Sequence, residues 1–308
     1  MQIVLFGSSD FSIPTLKYLH KSDNQLVAVI TPFDKPRGRG KKLYPSKFSK
    51  YAMDKGYPII QIENFKDSKI QSRLQKLNAD IFVVVAFQKI PDHILKIPKI
   101  CSMNIHPSLL PKYRGAAPLQ WAIINGEKKI GISIIKLSSQ IDAGNILKQK
   151  VIDFKDEENF GDLYEKTSNI GAKLLLKTID VVKQDNLYIG LEQNNELATA
   201  ARKLRKKDFL INWFETCADI RNKVRAFSPY PGAYTHLENK RLKIFEVEYY
   251  ECNNEKIKPG SFFIKENSLI VSTSDGFLSI LNLQLEGKNR LTTKDFLSGN
   301  KFSTYKFG

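Results

Sequence analysis

Residues 1–189 alternate short apolar runs with segments of helical spacing, and this alternation restricts the possible folds more than any other feature of the chain. Gln2–Phe6, Gln25–Ile30, Pro58–Gln61, Asp80–Ala86, Ser102–Ile105 and Gly131–Leu137 read as strands. Pro14–His20, Ser46–Lys55 and Ser68–Leu77 lie between them with helical periodicity. Ile81–Ala86 is apolar at every position and rich in β-branched residues, the pattern of a strand covered on both faces. The reading is a doubly wound α/β domain, which binds ligands at the carboxyl ends of its strands.

Phe160–Lys183 reads as a long amphipathic helix with Leu163, Ile170, Leu174, Leu175 and Ile179 on one face. From Asn186 to Lys207 the sequence turns polar and basic, and residues 190–207 are expected to be a linker. A helix near Glu215–Val224 follows, ended by Ser228-Pro-Tyr-Pro-Gly232. Then come Ala233–Leu237, Leu242–Tyr249, Ser261–Ile264, Leu269–Thr273 and Gly276–Leu283, short alternating runs that predict a small β-barrel over residues 208–308. Two domains also suit 308 residues, a length at which single cores usually divide.

Composition removes several classes. Hydrophobic residues at 42% exclude global disorder. The longest apolar run, Ile81–Phe87, falls far short of the ~20 residues of a membrane helix. Cys101, Cys217 and Cys252 are scattered and odd in number, which fits neither a disulfide framework nor a zinc module. His20, His93, His106 and His236 form no ligand set, so no metal is expected. No basic segment with an apolar stretch opens the chain, and a cytoplasmic monomer without a membrane partner is expected.

Net charge fits either a polyanion partner or simply a lysine-rich composition, and the clustering of the basic residues favours the first. Lys and Arg total 48 against 32 Asp and Glu, a net +16. Arg37, Arg39, Lys41 and Lys42 crowd into a Gly- and Pro-containing loop that no regular element accommodates, a form suited to following phosphates; a solvated loop without a partner is the alternative. Arg202, Lys203 and Lys206 form a second cluster, either a phosphate-contacting linker or a solvated helix start. Gly7-Ser-Ser-Asp10 lacks the later glycines of a dinucleotide fingerprint, and no P-loop is present.

The densest chemistry lies after the fifth strand-like run. Pro107 biases His106 toward extended backbone. Residues two apart on a strand share a face, so Asn104 and His106 project together with Ile105 turned away. An amide and an imidazole there could donate to a developing oxyanion. Asp142, in Gln140-Ile-Asp-Ala-Gly144, would fix the His106 tautomer if its loop folded back, although an acid in a turn is often only turn chemistry. Cys101 cannot share a face with both Asn104 and His106, which disfavours a thiol mechanism.

Asn104-Ile-His106-Pro-Ser-Leu-Leu-Pro111-Lys-Tyr-Arg114-Gly-Ala-Ala-Pro118, followed by Asp142-Ala-Gly144, resembles the formyltransferases that use 10-formyltetrahydrofolate. Gly7-Ser-Ser-Asp-Phe11 and Gly38-Arg-Gly-Lys-Lys-Leu43 extend the resemblance toward members that formylate the α-amine of initiator methionyl-tRNA. It implies a Rossmann-like formyltransferase domain followed by an OB-like barrel that helps hold tRNA. It implies Asn104, His106 and Asp142 as the catalytic trio, and Ser108, Leu109, Leu110 and Pro111 as folate contacts with Phe87 and Gln88 bordering the pteridine. Arg39, Lys41 and Lys42 match the basic loop that reaches the acceptor end, and Arg37 adds charge where relatives carry a small residue. Ala86-Phe87-Gln88 departs from the relatives' Ala-Tyr-Gly, and Gln88 is bulkier than glycine and less tolerant of a positive φ. Formyl transfer to a nucleotide-sugar amine, and nucleic-acid binding by an inactive transferase domain, are the rival readings.

Overall fold

Parallel pairing of the two most apolar N-terminal runs sets the frame of the fold. Gln2–Gly7 lies beside Ile81–Val85, with Val4 opposite Phe82 and Leu5 opposite Val83. No residue of Ile3–Phe6 or Ile81–Val85 is more than 5% exposed, because both faces of these strands are covered. The computed structural model describes residues 1–37, 42–185, 188–252, 257–299 and 305–307. The chain divides into two compact units. One comprises Met1–Gly115, Lys129–Asp153 and Tyr164–Ala201; the other comprises Ala116–Lys128, Phe154–Leu163 and Arg202–Gly308.

The first unit holds a seven-stranded sheet in the order Ile146–Asp153, Lys129–Lys136, Cys101–His106, Ile81–Val85, Gln2–Gly7, Gln25–Pro32, Ile59–Ile62. The last five run parallel. From Gln2–Gly7 the chain winds outward through Gln25–Pro32 to Ile59–Ile62, then returns to the other side of Gln2–Gly7 at Ile81–Val85. The reversal puts a switch point between the carboxyl ends of Gln2–Gly7 and Ile81–Val85, where doubly wound sheets open a crevice.

Two features differ from the sequence reading. Lys129–Lys136 joins antiparallel to Cys101–His106 rather than extending the parallel set. Ile146–Asp153, not foreseen as a strand, closes that edge by antiparallel pairing. Its Lys148-Gln-Lys150 core is polar because an edge strand needs apolar residues on one face only, and edge lysines oppose strand addition.

The helices follow ordinary capping rules. Ser46 caps Lys47–Asp54 by accepting from the Ser49 amide, and Asp67 caps Ser68–Lys76 by accepting from Lys69. Phe160–Gln184 is the long amphipathic helix anticipated from its periodicity. A Cβ added at its Gly171 would approach Ile105 Cγ2 to 2.7 Å, so the glycine permits close helix–strand contact.

The second unit is a small antiparallel β domain. Its strands run in the order Ala233–Leu237, Lys240–Tyr250, Phe277–Leu285, Ser268–Ser272, Phe262–Lys265, with Leu291–Thr292 also pairing with Phe277–Leu285. Cys217–Ala226 is a helix capped by Thr216, and it packs on Pro118–Ile124. Arg225 draws in residues 154–163 by donating to the Asp156 carbonyl at 2.6 Å while its guanidinium lies over the Phe154 ring.

Phe82 is fully buried, so Phe82→Ala is expected to lower the unfolding free energy of the first unit by about 3–5 kcal/mol, read by urea denaturation. A loss below about 1 kcal/mol would mean that the ring is not packed on both sides.

Candidate active site

The strand Cys101–His106 brings the polar pair into place by parity. Ile105 turns toward Gly171 of the long helix, so Asn104 and His106 share the opposite face. His106 is 3% exposed. Its Nε2 lies 2.9 Å from the Tyr113 carbonyl oxygen. A carbonyl only accepts, so Nε2 carries a proton. Its Nδ1 lies 3.5 Å from Asp142 Oδ2. An acceptor oxygen therefore faces each ring nitrogen. Asn104 is half-buried, and its side-chain amide has no protein hydrogen-bond partner among the described residues.

Asp142 reaches His106 because its loop folds back over the end of the Lys129–Lys136 strand. Asp142 adopts φ +52°, a left-handed conformation that aspartate tolerates better than most residues. A Cβ at Gly144 would overlap the Lys136 carbonyl oxygen, so only glycine lets the loop lie this close. The Asp142 carboxylate also accepts from the Gly115 amide at 2.9 Å. The Asp142 and Gly144 carbonyls both accept from Gln193, whose own carbonyl accepts from Arg114. Gln193, Tyr113 and Gly115 were not singled out from sequence, and Arg114 entered only as part of a motif. A lone glutamine in polar text carries no periodic signal.

Ser108-Leu-Leu-Pro111 forms a turn braced on the sheet. Ser108 Oγ donates to the Lys112 carbonyl at 2.7 Å, and Ser133 Oγ donates to the Ser108 carbonyl at 2.7 Å. The Leu110 amide donates to Ser133 Oγ, and the Leu110 carbonyl accepts from Gln149. Leu109 lies against Gly131.

Phe87 and Gln88 stand elsewhere, beyond the Ile81–Val85 strand. Phe87 packs edge-on to Phe6 with ring centroids 5.5 Å apart. Gln88 lines a cleft of about 890 Å³ with Ser8, Pro32, Phe33, Asp34, Tyr44 and Glu63 among others, over the carboxyl ends of the parallel strands. The positive φ of this loop falls on Ala86, at +49°, and not on Gln88. Ser8 Oγ donates to the Ala86 carbonyl and Ser12 Oγ to that of Val85, which pins both loops at the switch point. The half-buried Tyr164 hydroxyl accepts from the Phe11 amide and donates to Ser9; partial burial pushes its pKa up, so it remains a neutral phenol. Burial likewise pushes the Cys101 thiol up to about 11, leaving no thiolate near neutral pH.

The basic clusters divide. Arg39 and Lys41 lie outside the described residues, while Arg37 and Lys42 pair in the short hairpin of Lys35–Arg37 with Lys42–Tyr44. Arg202 is not a free cation: it binds Asp208 through both Nη atoms at 2.7 and 2.6 Å, and its guanidinium lies over the Trp121 ring. Lys203 and Lys206 are exposed. Nor is the expected linker loose along residues 188–201. Leu191 pairs with Ile146, Thr199 binds Tyr113 and Arg114, and Ala200–Ala201 pairs with Arg114–Gly115. Among the described residues no cluster of His, Cys, Asp and Glu could hold a metal, and no helix is long and apolar enough to cross a membrane.

Residues 1–179 match the formyl transferase family, and residues 203–301 match the formyl transferase C-terminal domain family. The chain is 42% identical over 302 residues to a methionyl-tRNA formyltransferase of Thermodesulfovibrio yellowstonii, covering 98% of this chain and 96% of that protein. It is 38% identical to a methionyl-tRNA formyltransferase of Geobacter metallireducens, covering 97% and 96%. Its fold is similar to the crystal structure of an N-formyltransferase from Helicobacter canadensis in complex with folinic acid and dTDP-3-aminofucose. That likeness has a TM-score of 0.67 and 22% identity over 90% of this chain and 97% of the other.

Hydrogen bonds from Arg202 hold the Asp208 carboxyl at about 2, well below its ordinary value near 3.8. A depressed folded-state pKa stabilises the fold above the unfolded value and ceases to do so as pH falls through the folded one. Asp208→Asn is therefore expected to lower the melting temperature of the second unit above about pH 4, with the deficit vanishing near pH 2. Melts in a pH series check this, and a deficit independent of pH would mean that the ion pair is not its source.

Proposed function

Because the chain belongs to the formyl transferase family, we propose that it transfers the formyl group of 10-formyltetrahydrofolate to the α-amine of initiator methionyl-tRNA. The folate is a consumed co-substrate. The neutral amine attacks the formyl carbon, and the carbonyl oxygen takes up negative charge. The C–N10 bond then breaks as the proton lost by the amine passes to N10. Asn104, whose amide is uncommitted, donates to the anionic oxygen. His106 joins it without leaving its place, sharing its Nε2 proton between the Tyr113 carbonyl and that oxygen. Asp142 orients the ring from the Nδ1 side and compensates its charge. No covalent link to the protein is required.

The observation that carries this reading is the approach of Asp142 to His106 beside an Asn104 amide that has no partner among the described residues, on a chain that matches named methionyl-tRNA formyltransferases along nearly its whole length. The crevice at the switch point, with Gln88 on its wall, is the proposed folate side of the site, and the Ser108–Pro111 turn contributes through its backbone. Arg37, Arg39, Lys41 and Lys42 in the first unit, and separately Lys203 and Lys206 in the second, would contact tRNA phosphates. A reaction in the cytoplasm fits these proposed substrates. The whole trio comes from one chain, so a monomer suffices.

His106→Ala and Asn104→Ala are each expected to lower single-turnover formylation of methionyl-tRNA by about 10²–10³-fold, with folate affinity within about threefold of the parent. Parent-like rates would remove the assigned roles, and formylation of an amino-sugar nucleotide in place of the tRNA would overturn the substrate. Replacing Arg39, Lys41 and Lys42 together with alanine should reduce the salt slope of tRNA binding by about 1–3. An unchanged slope in filter-binding titrations would show that the loop does not meet phosphates.

A further inference from the structure

We propose that Gln193 is a positioning residue for this reaction, locking the Asp142 carboxylate and the Tyr113 carbonyl against His106 through a clamp with Arg114. The inference rests on the proposed role of Asp142. Gln193 is 5% exposed, far from His106 in sequence, and lies in a segment that composition marks as linker. Its Nε2 donates to the Asp142 carbonyl at 2.8 Å and to the Gly144 carbonyl at 2.7 Å. Its Oε1 accepts from Arg114 Nε at 3.0 Å and from Nη2 at 2.7 Å. Two donors and one two-lone-pair acceptor are the full capacity of a side-chain amide, and all of it is used.

The two segments joined this way are the two that face the imidazole. Tyr113–Gly115 supplies the carbonyl opposite Nε2 and the amide that binds the Asp142 carboxylate. Residues 142–144 supply the carboxylate opposite Nδ1. Tyr113 and Asp142 both hold left-handed backbone, at φ +62° and +52°, a conformation that needs outside support at non-glycine positions. The clamp supplies it, and its chemistry is specific. Glutamate would turn a carboxylate toward two carbonyls, and lysine or arginine would face the Arg114 guanidinium with a second cation. Thr199 holds the same strand segment from the other side through the Tyr113 and Arg114 amides, so removing Gln193 frees the Asp142 loop first.

The test uses the full chain, with kcat and both KM values measured for Gln193→Ala, Gln193→Glu, Asp142→Asn and the Gln193→Ala/Asp142→Asn pair. The clamp predicts a kcat loss of about tenfold or more for either Gln193 variant, with KM for methionyl-tRNA and for 10-formyltetrahydrofolate within about threefold. In the Asp142→Asn background the same Gln193→Ala change should alter kcat by less than about twofold, because the group it positions is already disabled. An equal loss in both backgrounds, or unchanged kcat for the single variants, overturns the inference. Parent-like turnover of Asp142→Asn alone overturns the reading of Asp142 and the inference with it, and that one variant identifies the cause. If Gln193→Ala fails to fold, the isosteric Gln193→Glu carries the same cycle.

Discussion

A buried imidazole costs free energy unless each ring nitrogen finds a partner, and the first unit is organised around meeting that cost for His106. One partner is near in sequence: the Tyr113 carbonyl belongs to the turn that immediately follows the strand. The other, Asp142, lies across two antiparallel strands and arrives only because a glycine allows its loop to lie on the Lys136 carbonyl. The antiparallel edge is thus part of the site. Lys129–Lys136 runs back against Cys101–His106 with Lys136 opposite Met103, so the loop that follows starts at the amino end of that strand and has to fold back over the sheet to carry Asp142 to His106.

The two polar groups on that strand are left in opposite states. His106 has an acceptor at each ring nitrogen, while the Asn104 amide has no protein partner among the described residues. A charged or polarised ring needs a fixed environment, since reorganising around it during reaction would forfeit the stabilisation. An amide on the same face can instead wait for the substrate oxygen at little cost, because it is only half-buried and water can solvate it. A preset imidazole and an open amide are what oxyanion stabilisation asks of two donors.

Much of this is legible from residue patterns because it depends on parity and burial. The unbroken apolar run Ile81–Val85 marks a strand covered on both faces, and Asn104-Ile-His106 marks one face by alternation alone. What escapes is whatever depends on a single long-range polar contact. Gln193 is one amide in a run of polar residues, and its four hydrogen bonds leave no trace in composition. Ile146–Asp153 reads as loop because its exposed face carries Lys148 and Lys150. The left-handed residues at the site are Ala86, Tyr113 and Asp142, so no glycine advertises them. In the loop after Ile81–Val85 the positive φ sits on Ala86, two residues before Gln88. The interleaving of the units escapes for the same reason: Arg225 and Arg202 gather segments 154–163 and 116–128 by contacts that no linear boundary expresses.

Net charge alone also misjudges which cations are available. Of the cluster after residue 201, Arg202 is the strongest candidate on chemical grounds, since a guanidinium grips phosphate with two parallel bonds. The same geometry fits a carboxylate, and Asp208 already occupies both Nη atoms while Trp121 covers the face. Releasing it to a phosphate would break a bidentate pair, uncover an indole and leave a carboxylate beside an incoming anion. The exposed lysines escape this conflict. Lys203 and Lys206 are exposed, and as compact charges they would follow a polyanion without demanding a particular phosphate orientation. Within this cluster Arg202 is therefore committed to the second unit, and under the proposed function attraction for a nucleic acid would fall to Lys203 and Lys206.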